Sequence, residues 1–288
     1  MVDSVVVTLD GRVHDAGQPL LFADDLAAVR GDGVFETLLV RGGVACAVDL
    51  HLARLVESAT ALALPVPDVD QWRAVIEQAT GLWTQGSQDE GVLRLVLSRG
   101  REGGGDPTAY VTVGPLPERV RTVRDHGVSV ITLDRGYSVE FSSRAPWQLA
   151  GAKTLSYATN MAALRHAAAQ GADDVIYLSS EGRVLEGPRS TVVIARGKTL
   201  VTPSIEQGIL AGTTVAGLFQ VAEGAGWTCE RGHLYPADLI AADGVWLISS
   251  VTLAARVTEM NGVVLGWPSC GDELRAMVDL AVETVPTG

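Results

Sequence analysis

The chain has 288 residues, of which 47% are hydrophobic and 19% charged, a balance typical of a soluble globular protein with one large or two ordinary domains. Its formal net charge of −12 argues against nucleic acids and anionic membranes as general partners, because both are bound through basic surface. A small anionic substrate in a locally basic pocket is compatible with this charge.

The first 118 residues alternate short strands, turns and helices, and we assign them to a small N-terminal domain. Asp10-Gly11 provides the positive φ of a tight turn, so residues 5–13 predict a hairpin. Asp49 is placed to cap a helix whose apolar residues recur at helical spacing until Pro65 ends it. The other predicted elements are a hairpin at 34–48, a helix at 71–83, paired strands at 91–98 and 110–113, and a glycine-rich loop at 99–105.

Residues 114–124 contain two prolines and dense charge, which is typical of a linker, so we place the domain boundary between 118 and 119. The larger domain then spans 119–288, and its helix at 156–170 is ended by Gly171. Its other predicted elements are a strand at 128–133, hairpins at 175–186 and 191–202, a helix following 210–214, and a strand at 245–250. We therefore expect a mixed α/β protein of two domains.

Lysine is nearly absent from the chain: Lys153 and Lys198 stand against twenty arginines. Lys198 lies in a turn, as a solvated lysine would, whereas the stretch from Ala145 to Leu164 carries no charged side chain except that of Lys153. Arginine cannot lose its proton and attack a carbonyl, but a buried lysine amine can. Lys153 is therefore either a snorkelling side chain or a Schiff-base lysine, and a second feature is needed to decide.

Two other segments offer what a Schiff-base cofactor such as pyridoxal phosphate requires. Glu186, at the end of a predicted strand, could hold the ring nitrogen protonated and so keep the ring an electron sink. Thr213 and Thr214 follow Gly212 at a predicted helix start, where backbone N–H groups and the helix dipole favour a phosphate. Taken singly, each has an ordinary explanation: a solvated or ion-paired glutamate and a plain helix cap.

The order of these features resembles that of the fold-type IV pyridoxal-phosphate enzymes, which comprise branched-chain and D-amino-acid aminotransferases and aminodeoxychorismate lyase. Matching motifs stand at residues 31–37 (GDGVFET), 51–55 (HLARL) and 210–214 (LAGTT). The resemblance implies a D-amino-acid aminotransferase-like fold, with a small N-terminal α/β sandwich domain and a larger C-terminal pseudo-barrel domain. It also implies a homodimer whose active site lies near the subunit interface.

The resemblance assigns roles residue by residue. Lys153 matches the catalytic lysine that forms the aldimine, Glu186 the pyridinium partner, and Arg54 the arginine that grips the phosphate. Tyr157 matches the tyrosine near the ring hydroxyl if a one-residue gap is allowed, and Ser249-Ser250 falls where a further hydroxyl meets the phosphate. The implied cofactor-binding residues are Arg54, Lys153, Tyr157, Glu186, Thr213, Thr214 and Ser250.

The chain departs from the family pattern in places. Thr213 replaces a usual isoleucine but keeps its backbone N–H, and Val215 replaces a common arginine, so we expect phosphate binding to survive. Residues 188–191 (PRST) stand where small hydroxyl residues and Asn are frequent, which puts a cofactor role for Ser190 in doubt and makes Arg189 a candidate substrate contact.

The resemblance favours a lyase over a branched-chain aminotransferase. Residues 95–105 are similar to the strand and Ser-Arg-Gly loop of aminodeoxychorismate lyases, and the residues after Lys153 read TLSY where branched-chain enzymes usually have GGNY. The implied activity is conversion of 4-amino-4-deoxychorismate to pyruvate and 4-aminobenzoate, in folate biosynthesis, with Lys153 as general base at C4. A dicarboxylate substrate needs cationic partners, and the candidate substrate-binding residues are Arg94, Arg99 and Arg189.

Two alternatives stay open: a class IV aminotransferase acting on D-amino or branched-chain amino acids, and a non-catalytic protein of the same fold that binds pyridoxal phosphate. Motifs of a serine hydrolase or a P-loop are missing. The sequence shows no membrane span and no signal peptide, and the widely separated Cys46, Cys229 and Cys270 suit a reducing compartment and offer no metal spacing. We therefore expect a cytoplasmic protein.

Overall fold

The structure is a computed structural model that describes residues 4–87 and 89–283. The chain divides into two compact units. Of the described residues, the first unit contains those up to Pro117 and the separate segment Ala152–Tyr157, and the second contains Glu118–Gly151 and residues 158–283. Each unit has its own sheet, so the predicted mixed α/β class is confirmed.

The first unit is an antiparallel sheet covered by helices. Its strands are β1 (Val5–Thr8), β2 (Val13–His14), β3 (Gly33–Arg41), β4 (Val44–Ala45), β5 (Gly91–Ser98) and β6 (Thr108–Pro115). Its helices are α1 (Leu26–Arg30), α2 (Val48–Ala61) and α3 (Val69–Gly86). The strand order is β2-β1-β6-β5-β3-β4, and α2 packs on β3 while α3 packs on β1 and β6. The strand β3 therefore lies directly beneath α2.

Most predicted elements of the first unit are confirmed. Val6 pairs with His14 across the hairpin, whose turn residue Gly11 has a φ of +83°. The strand predicted at 91–98 is β5, with the same bounds. The predicted cap at Asp49 is wrong, because α2 begins one residue earlier, after Ala47 in the left-handed region, and the Asp49 carboxylate pairs with an arginine of α3 instead.

The predicted linker at 114–124 is also wrong. Most of it belongs to the helix α4 (Glu118–His126), which opens the second unit. Pro117 precedes the first turn of the helix, where proline is tolerated. Val120 and Val123, three residues apart, bury one face of α4. Pro115 therefore ends β6, Pro117 precedes α4, and the charged residues lie around the apolar face of that helix.

The second unit is a mixed sheet of eight strands. The strands are β7 (Val128–Asp134), β8 (Asp174–Leu178), β9 (Thr191–Arg196), β10 (Thr199–Pro203), β11 (Thr228–Gly232), β12 (Gly244–Ser249), β13 (Leu253–Met260) and β14 (Val263–Val264). They run in the order β11-β10-β9-β12-β13-β7-β8, and β14 pairs with β13. Further helices are α5 (Phe141–Arg144), α6 (Ala158–Ala169), α7 (Thr213–Gly224), α8 (Pro236–Ile240) and α9 (Gly271–Glu283), with 3₁₀ turns at Pro146–Gln148 and Ile205–Gln207.

The predicted helices before Gly171 and after Gly212 correspond to α6 and α7, and the hairpin at 191–202 corresponds to β9 and β10. The hairpin at 175–186 is only partly regular: β8 is a strand, but residues 183–186 join it through one bridge, Leu178 to Val184, and a few backbone bonds. Among the residues described, no helix is both long and apolar enough to span a bilayer.

Candidate active site

The segment that carries Lys153 is fastened to the first unit through its backbone. The carbonyl of Lys153 accepts a hydrogen bond from the Phe35 amide at 3.1 Å, and its amide donates to the Ser58 hydroxyl at 3.1 Å. Thr154 forms a bridge with Val34 on β3. Since both backbone groups of Lys153 are satisfied by β3 and α2, the point from which the amine extends is fixed.

The Lys153 side chain lies against an aromatic ring. Its nitrogen is 4.5 Å from the ring centroid of Phe35, a distance suited to a cation–π interaction. The edge of the Phe35 ring in turn meets Tyr157, with centroids 5.5 Å apart and planes at 86°. The predicted residues Lys153 and Tyr157 therefore share one neighbour, which the sequence did not single out.

Beneath α2, a buried ion pair holds Arg54. Its Nε donates to Oε1 of Glu36 at 2.7 Å, and its Nη2 donates to Oε2 at 2.7 Å, which is a bidentate arrangement. Nδ1 of His51 lies 2.7 Å from the same Oε2. His51 and Arg54 are three residues apart and so share a face of α2, while Glu36 projects from β3. All three side chains are buried.

The charge states of this triad follow from its geometry. Burial alone would raise the pKa of Glu36, but the charge and hydrogen bonds of Arg54, followed by those of His51, bring that pKa down to about 2. Burial lowers the pKa of His51, an effect that Glu36 opposes and that the charges of Arg54 and Lys153 reinforce. A neutral His51 facing an ionised carboxylate carries its hydrogen on Nδ1 and donates it.

In the second unit, Glu186 faces the loop before α7. Its Oε2 accepts a hydrogen bond from the Leu210 amide at 3.1 Å, and its carbonyl accepts one from Tyr177 at 2.9 Å. Burial raises the pKa of Tyr137 and of Tyr177, and the Glu186 charge acts in the same direction on both. The carboxylate is therefore oriented toward residues 210–214, the predicted phosphate loop.

The start of α7 meets the second sheet at Thr191, the first residue of the central strand β9. A Cβ added to Gly212, the N-cap residue, would lie 2.5 Å from the Thr191 hydroxyl, so the close approach requires glycine. Thr191 also pairs with Ile248, two residues before Ser250. The predicted phosphate contacts Thr213, Thr214 and Ser250 thus follow segments that meet at one end of strands β9 and β12.

The three arginines proposed for the substrate have different surroundings. Arg99 donates from Nε to Asp32 at 2.7 Å and from Nη2 to the Leu62 carbonyl at 2.7 Å, so it already braces the end of α2. Arg189 pairs with Asp174 at 3.2 Å in the second unit. Arg94 is exposed on β5 and makes no ion pair within the part of the chain that the structure describes.

Each unit has the chemistry that pyridoxal phosphate needs from its protein. The first has a lysine amine on an apolar ring and a buried arginine in a fixed orientation. The second has a glutamate aimed at a loop that leads into a helix N-terminus, where backbone N–H groups favour a phosphate. These residues fit the cofactor.

The sequence placed Phe35, Glu36 and His51 inside matched motifs but assigned them no role, and it did not single out Ser58. Two local signals were present: an acid inside the apolar strand of residues 34–40, and the three- and seven-residue spacings of His51, Arg54 and Ser58 along α2. Acidic residues are rarely buried without a partner, so Glu36 calls for a cation nearby.

Comparisons with known proteins identify a matching family and similar relatives. The family described as amino-transferase class IV matches residues 33–260. A bifunctional aminodeoxychorismate lyase / D-amino acid transaminase from Mycobacterium tuberculosis is 54% identical over 285 residues, covering 96% of this chain and 99% of the relative.

Two solved structures share the fold. A hypothetical aminotransferase from Mycobacterium tuberculosis, in a PLP-bound form, is 55% identical with a TM-score of 0.95, covering 97% of this chain and 98% of the other. A fold IV transaminase from Curtobacterium pusillum is 38% identical with a TM-score of 0.91, covering 96% and 98%. The fold implied by the resemblance is thereby confirmed.

Proposed function

The chain belongs to the class IV aminotransferase family, and we propose that it is a pyridoxal-phosphate-dependent aminodeoxychorismate lyase that also transaminates D-amino acids. The observation that carries this proposal is the anchoring of Lys153, whose backbone is fixed on both sides and whose amine lies on the ring of Phe35. The pair of activities is supported by the name of the 54% identical relative from Mycobacterium tuberculosis.

In this proposal, each contact to the cofactor is assigned to particular residues of this chain. Lys153 would hold the cofactor covalently, Glu186 would partner its ring nitrogen, and Tyr157 would lie near its ring hydroxyl. The phosphate would be held by Arg54, Thr213, Thr214 and Ser250. When bound, pyridoxal phosphate supplies an electron sink for the carbanion that forms beside the substrate nitrogen.

In the lyase reaction, the neutral amine of Lys153 takes the proton from C4 of 4-amino-4-deoxychorismate. The electron pair of that C–H bond completes the aromatic ring, and the C3–O bond breaks with its pair on the enolpyruvyl oxygen. The leaving group gains a proton on carbon and becomes pyruvate, so the products, pyruvate and 4-aminobenzoate, together contain all the atoms of the substrate. In transamination, the same amine moves a proton from the α-carbon of the amino acid.

Among the substrate arginines, we favour Arg94 as a carboxylate partner. Its exposed guanidinium makes no ion pair with the described residues, whereas Arg99 and Arg189 would first have to give up Asp32 and Asp174. A homodimer in the cytoplasm completes the proposal, and sedimentation of the purified protein tests its dimeric part.

The test measures both activities on one preparation. We expect release of pyruvate and 4-aminobenzoate from 4-amino-4-deoxychorismate, and exchange between D-alanine and 2-oxoglutarate. Both should be lost in Lys153→Ala and kept in Lys198→Ala, which removes the other lysine. Exchange without release would leave only the transaminase, and a protein that does neither and takes up no pyridoxal phosphate would refute the proposal.

A further inference from the structure

The triad of Glu36, His51 and Arg54 contains a buried ion pair whose role is not explained by stability alone. A buried carboxylate and guanidinium lose their hydration, and replacing such a pair by apolar residues is often neutral or stabilising. Burial of this pair is therefore not explained by stability alone. What it does supply is a single, defined orientation of the guanidinium.

The geometry shows how that orientation is set. Glu36 binds the edge of Arg54 formed by Nε and Nη2, through two parallel hydrogen bonds of 2.7 Å. Because a guanidinium is planar, fixing this edge also fixes the direction in which Nη1 points, away from Glu36. A lysine, which has no such plane, could not be aligned in this way.

His51 fixes the other partner. Its Nδ1–H donates to Oε2 of Glu36, the same oxygen that accepts from Nη2 of Arg54, so the carboxylate is held from two sides. Since the imidazole is neutral, it adds no positive charge that would compete with Arg54 for an anion. The triad thus contains one carboxylate, one guanidinium and one neutral donor.

We propose that Glu36 and His51 are positioning residues, which act through Arg54 to aim its guanidinium at the cofactor phosphate. The inference rests on the proposed function, in which Arg54 holds that phosphate. Neither Glu36 nor His51 needs to touch the cofactor for this role. Their effect should therefore appear in the binding of the phosphate group alone.

Pyridoxal phosphate and pyridoxal differ only in that group, so the ratio of their dissociation constants isolates it. Both are titrated into apoprotein, prepared with hydroxylamine and dialysis, and followed by absorbance. We expect Glu36→Gln to raise the dissociation constant of pyridoxal phosphate about tenfold and to change that of pyridoxal by no more than about twofold. His51→Phe should act in the same direction by a smaller factor, and His51→Asn, which keeps an N–H donor, should restore the ratio.

Two further variants separate positioning from general damage. Asp49→Asn breaks a different ion pair of the same helix, with Arg73, and should leave the ratio unchanged. In an Arg54→Met background, adding Glu36→Gln should not change the ratio further, because the residue through which Glu36 acts is gone. The double variant has neither buried charge, so it remains informative where Glu36→Gln alone does not fold.

The outcomes are distinct. The inference is overturned if Glu36→Gln and His51→Phe weaken the binding of pyridoxal phosphate and of pyridoxal equally. It is also overturned if Glu36→Gln changes the ratio of dissociation constants further in the Arg54→Met background. A wild-type protein that prefers pyridoxal phosphate to pyridoxal, combined with an unchanged ratio in the variants, refutes this inference and leaves the proposed function intact. Failure of the wild type to bind either ligand refutes the proposed function itself.

Discussion

The two lysines of the chain make the same ring contact in different surroundings. Lys153 lies 4.5 Å over Phe35, and Lys198 lies 4.5 Å over Trp227. Lys198, however, also donates to Glu273 at 2.7 Å, and 62% of its side chain is exposed. Lys198 thus has an exposed carboxylate as its partner, whereas the sequence from Ala145 to Leu164 contains no charged side chain other than that of Lys153. The ring contact therefore does not distinguish the two lysines; their sequence neighbours do.

The largest test of this contrast exchanges each lysine for alanine. Lys153→Ala should reduce lyase turnover by about 10²- to 10⁴-fold or more, because it removes the general base and the point of cofactor attachment. Lys198→Ala should keep wild-type turnover. Borohydride reduction of the holoprotein followed by peptide mapping should place the label on Lys153, and a label on Lys198 would reverse the assignment.

A second test compares two glutamates that form ion pairs, Glu36 in the buried triad and Glu273 beside Lys198. Glu36→Gln should destabilise the apoprotein by about 3–5 kcal/mol in urea unfolding, because it leaves Arg54 buried without its counter-charge. Glu273→Gln removes the exposed partner of Lys198 and should leave the urea midpoint nearly unchanged. Equal midpoints for the two variants would show that burial of the triad does not matter to stability.

The loss of stability at acid pH gives a further test of Glu36. The pKa of Glu36 is about 2 in the fold, below the ordinary value of 4.5, so its contribution is complete above pH 4.5 and is lost as the pH falls toward 2. Through this window, wild type should lose stability more steeply than Glu36→Gln, and the difference between the two curves isolates Glu36. Unfolding free energies at several pH values check this, and parallel curves would contradict the assigned charge state.

The smallest expected effect concerns the rings. Phe35→Leu keeps an apolar side chain but removes the flat ring on which the Lys153 amine lies, so we expect lyase turnover to fall about two- to tenfold as the amine is held less precisely. Trp227→Leu, the matching change beside Lys198, should leave turnover unchanged. Loss of activity in both variants would point to general destabilisation rather than to support of the Lys153 amine.

Local patterns predicted much of the fold. The strand at 91–98 was predicted to the residue, because a run of apolar residues ends there in a glycine-rich loop. The end of the helix before Gly171 was predicted within one residue, because a left-handed glycine follows it, and its start was predicted within two. Lys153 was singled out by its uncharged neighbours, a property that the sequence displays directly.

Other features depend on contacts between distant residues. Nothing near Ala47 indicates a left-handed residue before α2, which is why Asp49 was assigned as the cap. Because prolines and charges are typical of linkers, the helix α4 was not predicted; its helical structure depends on the burial of two valines. The bonds of Glu36 to Arg54 and of Ser58 to Lys153 join separate elements, so a local pattern could indicate that Glu36 needs a cation but could not identify the partner.

The bond between Ser58 and the Lys153 amide spans 95 positions of sequence. In kinetic terms, such a contact closes late, because the entropy of a long loop must be overcome after α2 and β3 have already met. In a chain that has not yet made this bond, the backbone position of Lys153 would not be fixed. Cofactor capture would then depend on a contact that α2 makes across 95 positions of the chain.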